Sequence, residues 1–145
     1  QEFINNVRQL TSGQDNEVWS FGEENYKILS KYLFIRERLR PYIREAMDEC
    51  SRSGLPVMRP LFFDFSNDKT AWETEDQYMF GSDILVAPVL EEGARERSVY
   101  LPAGAEWTDA YTKQTYSGGQ RITVPAPIDV IPIFCKNGVE INIYD

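Results

Sequence analysis

The sequence predicts an α+β chain in two parts: the last αβ step of an α/β fold, then an antiparallel β-sandwich. Three observations predict it. Apolar residues recur at helical spacing over residues 23–50, and a nearly continuous apolar run, residues 57–63, follows the next glycine. After Gly81 come six short apolar runs about ten residues apart, separated by turns rich in glycine and proline.

Residues 1–22 read as polar and irregular. From Glu23 the positions Ile28, Tyr32, Ile35, Leu39 and Ile43 fall three or four apart, and Leu29 and Leu33 widen the stripe. Lys27, Lys31, Arg36, Glu37, Arg38 and Arg40 occupy the other face. Pro41 removes a backbone donor and crowds the preceding turn, so a kink or a restart is expected there. The pattern resumes through Ala46, Met47 and Cys50 and stops at Gly54, which suits a left-handed cap. Val57, Met58, Leu61, Phe62 and Phe63 then read as a short strand buried on both faces and parallel to its neighbours. No parallel mate follows, so its sheet is expected upstream of Gln1. Residues 66–80 restart helically, with Ser66 or Asn67 as the cap and Asp68, Glu73, Glu75 and Asp76 favoured by the helix dipole. "ILVAPV", "RSVYLP", "EWTDAYT", "QTYSG", "QRITVPA" and "VIPIFCK" are the expected strands of a sandwich or barrel. Residues 84–136 are expected to hold a core of their own.

Composition narrows the function. The 145 residues carry a net charge of -8 and a pI near 4.6, which repels a phosphate backbone and argues against nucleic acid. No basic amphipathic stretch suggests a membrane surface, and no run approaches the roughly 20 apolar residues of a spanning helix. The start, "QEFINNVRQL", has neither an initiator methionine nor a signal-peptide pattern, so the chain reads as a piece of something longer. Histidine is absent, which removes Ser-His and Cys-His pairs and imidazole zinc sites. Cys50 and Cys135 lie on dissimilar segments and read as buried free thiols.

Six features could carry chemistry, and each has a plainer reading. Asp64 sits at the end of the buried run, where α/β barrels place catalytic groups, or else it pairs with an arginine. Arg59, inside an apolar run, needs an ionic partner. Asp83 follows Gly81 and suits a turn. Ser117, Gly118 and Gly119 read as a hairpin tip, with no P-loop lysine after them. Trp72 and Trp107 have faces suited to sugars, or to a core. No constellation amounts to a catalytic, cofactor or metal site, and no site residue is assigned.

"GLPVMRPLFFDFSND", "AWETEDQYMFGSDILVAPVLEEGARERSVYLPAGAEWTDAYT" and "GGQRITVPAPIDVIPIFCKNG" closely resemble the C-terminal part of glycoside hydrolase family 31, the α-glucosidases and α-xylosidases. "WSFGEENYKILSKYLFIRERLRPYI" resembles the late barrel segment of that family. The resemblance implies that residues 1–81 are the C-terminal remnant of a (β/α)8 barrel, including its last helices and strand. Residues 82–145 would then be the proximal β-sandwich. It also implies retaining hydrolysis of terminal α-linked sugars by two aspartates, both upstream of this chain, with no cofactor. An oligosaccharide or α-glycoside is the expected partner of the parent protein, and in the isolated piece the N-terminal part is expected to be rearranged, self-associated or swapped between chains. The alternative is a self-standing sugar-binding or scaffolding module, in which the run at residues 57–63 would need a mate within the chain. A cytoplasmic parent is expected.

Overall fold

A computed structural model of the chain describes residues 18–144. The irregular stretch expected at residues 1–22 lies outside it up to residue 17. The chain divides between Glu37 and Arg38 into two units. In the first, Val18–Phe21 form a 3₁₀ turn, and helix α1 (Glu23–Ser53) begins one residue later. Glu23 and Glu24 occupy its positive end, and Glu23 also reaches Lys27 at 3.1 Å. Ile35 is buried, whereas Tyr26, Leu29, Leu33 and Phe34 are 39–68% exposed. Leu29 and Leu33 therefore do not widen a buried stripe in this chain.

In the second unit α1 continues through Pro41 to Ser53 with no restart. Pro41 is exposed. Gly54 ends the helix as expected: its φ is 76°, and its amide donates to the Cys50 carbonyl at 2.9 Å.

The run at residues 57–63 departs most from expectation. Only Met58–Pro60 is a strand, β1, and it is antiparallel to β2 (Tyr78–Phe80), which supplies its mate within the chain. Pro60 cannot extend the ladder, and Leu61–Asp64 coil into a helical turn, α2. The helix expected over residues 66–80 is only α3 (Lys69–Glu73), and its cap is Asp68 rather than Ser66 or Asn67. Asp68 accepts from the amides of Thr70 and Ala71 at 3.0 and 3.3 Å, satisfying two donors of the first turn.

All six strands expected after Gly81 form: β3 (Ile84–Val86), β4 (Glu96–Leu101), β5 (Glu106–Asp109), β6 (Thr115–Ser117), β7 (Gln120–Pro125) and β8 (Ile133–Lys136). Six strands make one sheet in the order β1-β2-β3-β8-β5-β6, and β4 and β7 make a second. Every pairing is antiparallel. Three of the pairings nest, β5 with β6, β4 with β7 around them, and β3 with β8 outside both, while β5 also pairs with β8 across that order. Ser117–Gly119 is not a hairpin tip, because it carries the chain from one sheet to the other. Gly118 donates to the Ala105 carbonyl at 2.8 Å and Gly119 to the Leu101 carbonyl at 2.7 Å. A Cβ on Gly118 would lie 2.1 Å from the Pro102 carbonyl oxygen, so no other residue fits the crossing.

One core serves both sheets. Trp107 and Phe134 are fully buried, together with Leu85, Val99 and Leu101. Leu61, Ala71 and Met79 belong to the same cluster, so the core is not confined to residues 84–136. Covering Phe134 alone contributes about 1.5–3 kcal/mol.

Candidate functional site

Three polar clusters tie the helices to the sheets. In the first, Arg59 projects from β1 and is 3% exposed. Its Nη1 meets Asp64 Oδ1 at 2.9 Å, its Nη2 lies 3.7 Å from Glu49 on α1, and its Nε donates to the Pro56 carbonyl at 2.8 Å. The plainer readings of Arg59 and Asp64 are therefore the observed ones: a buried guanidinium needs a counter-ion, and α2 turns the chain so that Asp64 supplies it.

The second cluster surrounds Gly81. The Tyr42 hydroxyl donates to the Phe80 carbonyl at 2.6 Å and accepts from the Asp83 amide at 3.1 Å. Burial pushes the Tyr42 pKa up to about 12, against a smaller opposing effect from the Asp83 amide. Asp83 contributes to the β2–β3 turn, as expected. Gly81 has a φ of 66°, and a Cβ there would lie 2.2 Å from the Tyr42 oxygen. No feature of the sequence marked Tyr42; the Gly-Ser-Asp turn that it clamps was visible.

Asp68 centres the third cluster. Beyond capping α3, its Oδ2 accepts from the Tyr100 hydroxyl at 2.6 Å and from the Ala103 amide at 2.9 Å. Burial alone would raise its pKa, but the four donors outweigh that and hold it below the ordinary value. Nearby, the buried Gln77 side chain accepts from the Tyr100 amide and donates to its carbonyl, both at 2.8 Å. It thereby imitates a neighbouring strand along β4, a role that a lone glutamine does not advertise.

The two tryptophans part company. Trp107 is core, and its Nε1 donates to the Pro102 carbonyl at 3.0 Å. Trp72 is 54% exposed and stacks on Phe62, with ring centroids 4.3 Å apart. Cys50 and Cys135 are free thiols; Cys135 is buried, which raises its pKa. Among the described residues no group of three or more cysteine, aspartate or glutamate side chains is placed to hold a metal ion. No described helix is long and apolar enough to cross a membrane.

Two sheets with every pairing antiparallel, held by structural ion pairs and a capping carboxylate, define an antiparallel β domain. Residues 54–141 match the glycosyl hydrolase family 31 C-terminal domain, and the chain belongs to that family. It is 46% identical over 132 residues to a sulfoquinovosidase of Escherichia coli strain K12, covering 90% of this chain and 19% of that protein. Alpha-glucosidase 2 of Bacillus thermoamyloliquefaciens is 34% identical over 129 residues, covering 89% of this chain and 16% of that protein. The crystal structure of a GH31 alpha-xylosidase from a soil metagenome, complexed with xylose, is 51% identical with a TM-score of 0.85, covering 89% of this chain and 19% of that one. The chain thus spans less than a fifth of each of these relatives.

Proposed function

We propose that the chain is the C-terminal portion of a retaining α-glycosidase that removes terminal α-linked glucose or xylose, with both catalytic aspartates outside these residues. The family match over residues 54–141 carries this reading. In such chemistry one carboxylate attacks the anomeric carbon and the other protonates the leaving oxygen, then activates water, so the two must stand about 5 Å apart. Asp64, the candidate that the sequence singled out, is committed to Arg59 instead. The exposed Tyr26, Leu29, Leu33 and Phe34 support a parent in which further protein packs on α1, and in the isolated chain the same face favours self-association.

The division between the parts is drawn anew. β1 and β2 belong to the sheet of β3, and the family match begins at Gly54. The helical element is therefore proposed to end at Ser53, and the β domain to begin there rather than at Ser82. β1 is then a strand of the β domain and not the last strand of a barrel.

The test is release of p-nitrophenol from the α-glucoside, α-xyloside and α-sulfoquinovoside by the pure 145-residue chain, beside a longer product of the same gene. The longer product is expected to hydrolyse the glucoside or the xyloside and the chain none of the three, and a longer product active only on the sulfoquinovoside would overturn the sugar assignment. Turnover by the chain alone would overturn the reading.

A further inference from the structure

Residues 137–144 follow β8 and contribute no strand to either sheet, yet they are held at both ends. At the near end Asn137 and Gly138 turn the chain, and the Val139 amide donates to the Lys136 carbonyl at 3.1 Å. At the far end Ile143 is fully buried, and Arg38 on α1 donates from Nη1 to its carbonyl at 3.4 Å. The Tyr144 hydroxyl donates to the Ile131 carbonyl at 2.7 Å and accepts from the Ile131 amide at 2.9 Å. Its ring meets Tyr111 edge-on, with centroids 5.9 Å apart. Between these anchors Glu140 and Asn142 are exposed. A cavity of about 360 Å³ is lined by residues 139–142 and by Thr108, Asp109, Lys113 and Cys135. Side chains alternate along β8, so Cys135 points away from the face on which Phe134 enters the core. Cys135 is nevertheless only 4% exposed, and the Ile141 amide bonds to its sulfur.

We propose that residues 139–144 are a strap that opens as a unit while both sheets stay folded, and that it gates the approach of small disulfides to Cys135. Side chains and single hydrogen bonds hold the strap, not a ladder, and a segment held in that way opens at a lower free energy than the strands beneath it. Cys135 cannot be reached sideways, because Ile84 of β3 and Thr108 of β5 flank it in the sheet. Once the strap is open, the thiol gives its proton to solvent. The thiolate attacks one sulfur of the disulfide, a new S–S bond forms, the old one breaks, and the leaving thiolate takes the electron pair.

The experiment follows the coloured thiolate released from dithionitrobenzoate, an aromatic disulfide, by the Cys50→Ala chain, in which Cys135 is the remaining thiol. Below the unfolding transition the rate is expected to be measurable and nearly independent of urea, because opening a strap exposes little surface. Tyr144→Phe removes both hydroxyl bonds and should raise the rate about tenfold. Asp68→Asn removes the oxygen shared by Tyr100 and Ala103, remote from the strap, and should lower the urea midpoint while leaving the rate unchanged. No labelling below the transition, a rate that climbs with urea as global unfolding does, a rate unchanged in Tyr144→Phe, or one raised equally by Asp68→Asn would each overturn the strap.

Discussion

Replacing Gly81 by alanine should be among the most damaging single-methyl additions to this chain. The new Cβ would sit 2.2 Å from the Tyr42 oxygen, 2.8 Å from Cζ and 3.1 Å from Cε1, all closer than real contacts allow. The backbone cannot absorb this cheaply, because at a φ of 66° alanine already costs roughly 1–2 kcal/mol. The ring must therefore move, and moving it breaks the bonds to the Phe80 carbonyl and the Asp83 amide, worth about 1 kcal/mol each. The expected loss is about 3–4 kcal/mol, a large share of the total stability of a domain. Urea unfolding followed by circular dichroism would show the midpoint falling by about 1–2 M. Tyr42→Phe removes the same two bonds and also the nearest clashing atom. The double variant should therefore be more stable than the sum of the two single losses predicts, by at least about 1 kcal/mol. Losses that add within about 0.5 kcal/mol, or a Gly81→Ala chain as stable as the parent, would refute the reasoning.

The Tyr42 pKa makes a second prediction. Its folded value is raised from 10.0 to about 12, so the stability it represents is complete below pH 10 and is lost as the pH rises through about 12. Tyr42→Phe should flatten that alkaline loss only partly, because burial raises Tyr78 and Tyr100 as well. Asp68 behaves in the opposite sense. Its folded pKa lies below 3.8, so its contribution is present above that pH and disappears as the pH falls through the lower folded value. Asp68→Asn keeps a cap for α3 but loses the second oxygen that accepts from Tyr100 and Ala103, so it should lose about 1–2 kcal/mol near neutrality and show a shallower decline into acid than the parent. Urea midpoints measured across both pH ranges check the pair, and parallel curves for variant and parent would contradict either assignment.

The half of the fold that was legible owes it to turn chemistry. From Ile84 onward the strands are separated by glycine- and proline-bearing turns, except β5 and β6, whose connection at residues 110–114 has neither and takes its positive φ at Lys113. β1 and β2 were hidden for physical reasons. Three residues are too few to show alternation, and Leu61, Phe62 and Phe63 prolong the apolar run of β1 although they coil into α2. An acidic stretch with good caps made residues 66–80 look helical throughout, and only Lys69–Glu73 obeys. The signal that could have corrected this was "YMFGSDILV", two apolar triplets around a turn that needs a positive φ at Gly81. Of the candidate site residues, Arg59 and Asp64 were placed correctly in the plainer reading, because a guanidinium in an apolar run has few alternatives. Trp72 was not, since a tryptophan beside apolar neighbours has the same sequence signature whether it faces in or out. Tyr42 and Gln77 act through single backbone groups distant in sequence, and no local pattern records such a contact.

The nested pairing of the strands has a consequence for how the chain finds its fold. β5 and β6 are joined by a short turn, so their hairpin can close early and at small entropic cost. Once it is closed, Leu101 and Gln120 are near each other, and the ends of β4 and β7 no longer have to search across the whole intervening segment. Their ladder in turn brings Val86 toward Ile133, where β3 and β8 begin to pair. Each ring of contacts shortens the effective loop for the next, so pairings remote in sequence become local in sequence of events. A fold whose outer strands are far apart along the chain can thus be reached by zipping from the centre outward, with β2 and β3 joining as a second local hairpin across the Gly81–Asp83 turn.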